Sequence, residues 1–207
     1  MIKYLVLPIF AYLLGSIPWG LILTRLFTSI NIRQVGSGNI GATNVARMAG
    51  PGLGALTLTG DILKGGFPVW LAVSMTTPNE VWSDLFIAIV AFAAFTGHLY
   101  PVYMKFKNGG KGVATAAGCF GVISPIALVI LILVFIMFVC WSNRVSLASL
   151  AAAAVLPVAI WKATGSEVML GCAAITTIFI YFRHADNIKR LLTGNEPAIW
   201  KNDDKAD

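Results

Sequence analysis

Tyr4 to Phe27 reads YLVLPIFAYLLGSIPWGLILTRLF, and how this stretch is taken decides the fold. It is long enough to cross a bilayer, which takes about 20 residues. A removable leader would end at a small-residue cleavage site. Here Gly15, Ser16, Pro18 and Trp19 lie within the apolar run and no such site follows, so residues 4 to 26 are expected to remain as a span. Composition extends this reading to the whole chain. Of 207 residues, 57% are hydrophobic and 12% charged, against about 25% charged in soluble domains.

Further apolar runs follow in order. Leu53 to about Met75 is interrupted by Gly60-Asp61 and by Lys64-Gly65-Gly66, and a polar turn, Thr76 to Asn79, leads into Val81 to about Gly97. Val113 to Trp141 exceeds one span and is broken near Gly121, Ser124 and Pro125, which predicts two helices, the first short. Val145 to Trp161 and a last run ending near Phe182 complete the series. The predicted fold is therefore all-α: one polytopic membrane domain over residues 1–207 with seven transmembrane helices.

Charge orients it. With the N-terminus outside and the C-terminus cytoplasmic, Arg33, Arg47, Lys105 to Lys111, Arg144 and the basic tail all fall inside, leaving Lys3 and Lys162 outside. The net charge of +6 then reflects orientation, and no basic patch with interleaved aromatics suggests nucleic acid. Cys119, Cys140 and Cys172 are scattered through apolar runs without zinc or redox spacing, and read as packing residues.

Against this background the polar stretches stand out. Gly36 to Gly50, GSGNIGATNVARMAG, reads as an anion cradle: Gly36, Gly38 and Gly41 let backbone N–H groups approach a ligand, and Ser37, Asn39, Thr43 and Asn44 add side-chain donors. A short helix from Ala42 would aim its N-terminus at the same anion, with Arg47 one turn on. Spacing alone allows an ordinary connecting loop equally well, and the segment matches neither the dinucleotide fingerprint nor the P-loop. Asp61 and Lys64, three apart, share a helix face as either a structural pair or part of a site. In KFKNGGKG, Lys105 to Gly112, Asn108-Gly109-Gly110 predicts a tight turn with positive φ angles that sets Lys111 at the next helix start, where it can meet a phosphate. Lys105 and Lys107 read as flanking charges, and His98 as a core histidine. Ser146 and Ser149 share one face, His184 and Asn187 another.

Three motifs together are specific: GSGNIGATN at Gly36 to Asn44; Gly97-His98 followed by YPVYMKFKNGGKGVAT up to Thr115; and RHADNIKRLLTGNE at Arg183 to Glu196. In combination they resemble the bacterial acyl-phosphate:glycerol-3-phosphate acyltransferases, multi-pass enzymes of the cytoplasmic (inner) membrane. The likeness runs nearly the full length, including Asp61 with Lys64 and RVSLAS at Arg144 to Ser149. It implies transfer of an acyl group from acyl phosphate to position 1 of sn-glycerol 3-phosphate, the first acylation of phospholipid synthesis, giving lysophosphatidate and inorganic phosphate. The partners implied are these two substrates and membrane lipids, with no cofactor, metal or nucleic acid.

Carried over by motif, the catalytic candidates are Lys111, Ser149 and His184. Ser37, Gly38, Asn39, Gly41, Thr43, Asn44, Arg47, Lys64, Asn187 and Glu196 are the candidates for substrate binding. The first loop and Lys64 are assigned mainly to the donor phosphate. Lys111, Ser149, His184 and Asn187 are assigned to glycerol 3-phosphate, and Arg47 to either. The competing class is a secondary transporter for a phosphorylated solute, which predicts helix breaks near mid-membrane and an inverted repeat. The polar motifs instead gather toward one face, and no repeat is evident.

Overall fold

The computed structural model describes residues 2–77 and 81–200, so the end of the Thr76 to Asn79 turn lies outside the described residues. Its regular elements there are helices: α1 (Ile2–Gly15), α2 (Trp19–Phe27), α3 (Ala42–Ala49), α4 (Pro51–Ser74), α5 (Val81–Leu99), α6 (Val113–Ile123), α7 (Pro125–Ser142), α8 (Val145–Thr164), α9 (Glu167–Arg183) and α10 (Ala185–Leu192), with a 3-10 turn at Val102–Met104.

The decisive first run is two helices, not one. α1 and α2 meet at 41° across Ser16, Ile17 and Pro18, because Pro18 has no N–H to continue the ladder. The long run after Val113 divides as expected. Ser124 accepts a hydrogen bond from the Ala127 N–H and Pro125 takes the first helical position, so α7 starts where α6 stops.

α5 is the central post, burying Phe86, Val90, Ala94, Phe95 and Leu99 and packing against α1, α4, α6 and α9. Small residues set these distances. A side chain at Gly15 of α1 would strike the Ala94 carbonyl of α5, and one at Gly97 of α5 would strike the Tyr12 carbonyl of α1. The same device joins α4 to α6, where Gly65 lies on Thr115 and Gly118 on the Ile62 carbonyl. This revises the reading of Lys64-Gly65-Gly66 as an interruption: α4 runs unbroken, and its glycines serve close packing. α7 is the opposite case, an outer helix with Ala127 buried and Ile126, Leu133 and Met137 facing outward.

By length and composition α5, α7 and α8 can each cross a membrane, or five spans result if the bent pairs α1–α2 and α9–α10 each count as one. α4 is long enough, but Asp61, Lys64 and its glycines lower its hydropathy. α6, with 11 residues, extends about 16 Å, roughly half the hydrocarbon core.

Candidate functional site

Four polar stretches meet at one end of the bundle: the loop before α3 with α3 itself, the loop between α5 and α6, the start of α8, and the chain after α9. Two of the corners that bring them together are a bend of 61° between α9 and α10 at His184 and the left-handed Asn143, φ 56°, between α7 and α8.

The first loop is built around Asn44, which is buried. Its Oδ1 accepts from the Ser37 N–H at 3.0 Å, and its Nδ2 donates to the carbonyls of Asn39 at 2.8 Å, Val35 at 3.2 Å and Ile32 at 3.3 Å. Asn39 Oδ1 accepts from the Gly41 N–H at 2.8 Å. Asn44, expected to face a ligand, is thus committed to shaping the loop, and Asn39 contributes its Oδ1 to the same end. Gly36 and Gly38 have φ of 59° and 68°, as the cradle reading required. Ser37, Thr43 and Arg47 stay exposed, and no side chain caps α3, so its first N–H groups point outward.

Lys64 goes elsewhere. It is buried, pairs with Asp61 Oδ1 at 2.7 Å, and donates to the Ile17 carbonyl at 2.8 Å, a group exposed by the α1–α2 break. His98 Nδ1 lies 3.6 Å from the same carboxylate oxygen. The lysine therefore already has a use inside the bundle.

The tail makes the tightest part. Asn187 Nδ2 donates to Glu196 Oε1 at 2.6 Å and Arg190 Nε to Glu196 Oε2 at 2.8 Å, so the carboxylate closes the chain back over α10. Burial pushes that carboxyl upward, but Ser146, Asn187 and Arg190 outweigh it and hold it below the usual range, hence ionised. Ser146 favours the charge by proximity, although its Oγ completes no well-aligned hydrogen bond. Beyond Glu196 the chain crosses the site. Arg47 donates to the Pro197 carbonyl at 3.2 Å, and Asn143 accepts from Ile199 and Trp200 N–H while donating to the Trp200 carbonyl.

Lys111 sits half-buried among these groups. Burial lowers its amine to about 8; the Glu196 carboxylate opposes the shift, while Arg190 and Arg47 add to it. His184 is buried, and desolvation with the nearby Lys111 charge lowers it to about 4, so the ring is neutral at pH 7. Its Nδ1 lies 2.8 Å from the Ile180 carbonyl. A carbonyl only accepts, so the ring proton is on Nδ1 and Nε2 offers a lone pair.

Ser149 is buried one turn below Ser146 and lines an apolar cleft between α6, α7, α8 and α9, with Ala117, Leu128, Phe135, Ala153 and Ile180 among its walls. The site therefore joins an anion-attracting rim to a greasy slot.

A family model described as glycerol-3-phosphate acyltransferase matches residues 5–194. The chain belongs to the glycerol-3-phosphate acyltransferase family. It is 46% identical over 196 residues to the glycerol-3-phosphate acyltransferase of Syntrophotalea carbinolica, covering 95% of this chain and 97% of that one. The Geotalea daltonii enzyme is 43% identical with the same coverage. The fold matches a crystal structure of PlsY (YgiH), an integral membrane glycerol 3-phosphate acyltransferase, in its glycerol 3-phosphate form, with a TM-score of 0.90, 39% identity and 96% of each chain covered. The lysophosphatidic acid form matches at 0.87 with 38% identity, again over 96% of each chain. This protein is accordingly an acyltransferase of the membrane.

Within the family fold, Lys111, Arg47, His184, Asn187 and Glu196 come together, Ser149 opens to the adjoining cleft, and Lys64 is spent on Asp61 and the Ile17 carbonyl. Arg190, Ser146, Asn143 and Arg183 were not singled out as site residues. Arg190 had a signal, since it lies three residues after Asn187 on α10 and so shares its face. The other contacts span long sequence separations that no local spacing reveals.

Proposed function

We propose that this enzyme takes its acyl group from acyl phosphate and delivers it to the 1-hydroxyl of sn-glycerol 3-phosphate, releasing lysophosphatidate and inorganic phosphate. One observation carries the reading: Arg47 and Arg190 lie close around Lys111, Lys111 adjoins a neutral histidine, and an apolar cleft opens beside them. Two anionic reactants, one with a long hydrocarbon tail, need that combination.

An acyl phosphate is a mixed anhydride with a good leaving group, so placement is the main task. The outward-facing N–H groups of α3, with Ser37, Gly38, Gly41 and Thr43, offer a seat for the donor phosphate. Lys111 and Asn187 suit the glycerol 3-phosphate headgroup, with Arg47 between the two. His184 Nε2 accepts the hydrogen bond of the attacking hydroxyl and orients it. At about 4 the ring is a weak base, so the proton passes to the departing phosphate. The hydroxyl oxygen bonds to the acyl carbon, the bond from that carbon to the phosphate oxygen breaks, and the cations stabilise the charge that collects on phosphate. No acyl-enzyme is formed. Glu196 braces Asn187 and Arg190, and the acyl chain lies along Ser149 in the cleft.

The same reading puts the enzyme in the bacterial inner membrane with seven crossings when the short α6 is counted as one, the N-terminus outside and the site on the cytoplasmic face. Support comes from Lys111, Arg47, Arg183 and Arg190 lying together at one end, the asymmetry that orients membrane proteins. The test is to incubate purified protein with acyl phosphate and labelled glycerol 3-phosphate, without coenzyme A. Labelled lysophosphatidate is expected. No product, or a covalent acyl adduct on any side chain, overturns the reading.

A further inference from the structure

Arg183 stands immediately before His184, and its guanidinium is spent on main-chain carbonyls. Its Nε donates to the Gly110 carbonyl at 3.1 Å and its Nη2 to the Gly109 carbonyl at 2.6 Å, across more than seventy residues of sequence. The other face of the same turn rests on the end of α5. Gly110 N–H donates to the His98 carbonyl at 3.1 Å. A side chain at Gly109 would strike the Leu99 carbonyl, and one at Gly110 the His98 ring.

Neither glycine has positive φ; Lys105, Phe106, Asn108 and Gly112 do. The two glycines are therefore present for thinness, not for backbone freedom. They let the turn fit between α5 and the guanidinium. The guanidinium is itself supported by the Tyr100 ring, 5.9 Å away. Tyr100 is tied in turn to α1, its carbonyl accepting from the Tyr12 hydroxyl at 2.6 Å.

We propose that Arg183 is a positioning residue for the reaction: by gripping the Gly109-Gly110 turn from the end of α9, it fixes Lys111 relative to His184 and so sets the glycerol 3-phosphate seat. The inference rests on the assignment of Lys111 and His184 to that substrate. Arginine suits the task because its planar fork reaches two carbonyls at once, which a lysine ammonium on a flexible stem does not reproduce.

Equilibrium binding of glycerol 3-phosphate to the purified full-length protein tests this. Arg183→Lys loses one charge-assisted bond and is expected to weaken binding about tenfold. In a Lys111→Met background the same change should then matter less than about twofold, because the route through Lys111 is gone. The high-pH limb of binding should also move upward from about 8, as a loosened turn lets water reach the Lys111 amine. Should Arg183→Lys fail to assemble, Tyr100→Leu removes only the ring support of the guanidinium. It should weaken binding about threefold. Unchanged binding in whichever variant assembles, or the same loss in the Lys111→Met background, overturns the proposal. Wild-type protein that binds no glycerol 3-phosphate overturns the substrate assignment as well.

Discussion

Two groups of charge sit in this molecule, one inside the bundle and one at its end, and they are balanced in opposite ways. Inside, Lys64 has Asp61 and the Ile17 carbonyl, and His98 approaches the same carboxylate, so the local charge is closed on itself. At the end, Lys111, Arg47 and Arg190 share one braced carboxylate, Glu196, with Asp186 farther off, and positive charge is left over. Closed charge is scaffolding, since desolvation leaves nothing for a ligand. Surplus charge held near water, beside an apolar slot, suits an anion.

The contrast is broken most severely from inside. Asp61→Ala leaves the Lys64 ammonium buried without its counter-ion, and a loss of about 3–5 kcal/mol of stability is expected. Thermal unfolding in detergent measures it, and the double variant Asp61→Leu with Lys64→Met should recover most of the loss. If Asp61→Ala keeps its unfolding temperature but loses activity, the inner pair belongs to the site and the distinction fails.

At the end of the bundle the expectation reverses, with activity lost and stability kept. Lys111→Ala should reduce kcat/KM for glycerol 3-phosphate by about 10²–10³ with an unchanged unfolding temperature. The pH profile sharpens this. With Lys111 held near 8, the amine is charged below that pH and neutral above it, so kcat/KM falls as pH rises past it. Lys111→Arg, which cannot deprotonate in this range, should carry the plateau to higher pH. A Lys111→Ala enzyme with full activity removes that residue from the site.

How far the sequence led follows the same division. The apolar runs all became helical, because hydropathy and the break at Ser124-Pro125 are local properties, but the first run, one span in sequence, divides at Pro18. The convergence of the polar motifs was also legible through their family resemblance. What escaped was direction. Asn44 carries the same donors whether it faces a ligand or its own loop, and four bonds to residues 32–39 turn it inward. Gly65 and Gly66 look like helix breakers until α6 is seen pressed against them. Lys64 reads as a phosphate ligand until the α1–α2 break presents it with the Ile17 carbonyl. Each depends on a neighbour distant in sequence, which spacing cannot supply.

The smallest expected effect concerns the strap of chain beyond Glu196, which one uncharged side chain anchors at its far end. Asn143 accepts from the Ile199 N–H at 3.1 Å and the Trp200 N–H at 2.9 Å, and donates to the Trp200 carbonyl at 2.8 Å. It thereby anchors the far end of a segment whose near end holds Asn187 and Arg190 through Glu196. Its backbone is left-handed, so alanine would add strain of its own and confuse the result; Asn143→Gly keeps the turn and removes only the amide. Loss of about 1 kcal/mol of anchoring should raise KM for glycerol 3-phosphate about fivefold and leave KM for the proposed acyl-phosphate donor nearly unchanged. Asn143→Asp retains the acceptor for both N–H groups and should sit closer to wild type. If Gly and Asp behave alike, the side-chain acceptor is not what holds the strap, since the Ile199 N–H also donates to the Asn143 main-chain carbonyl at 2.9 Å. If KM rises equally for both substrates, the strap does not act through Glu196, and the carboxylate braces its neighbours without help from the chain beyond it.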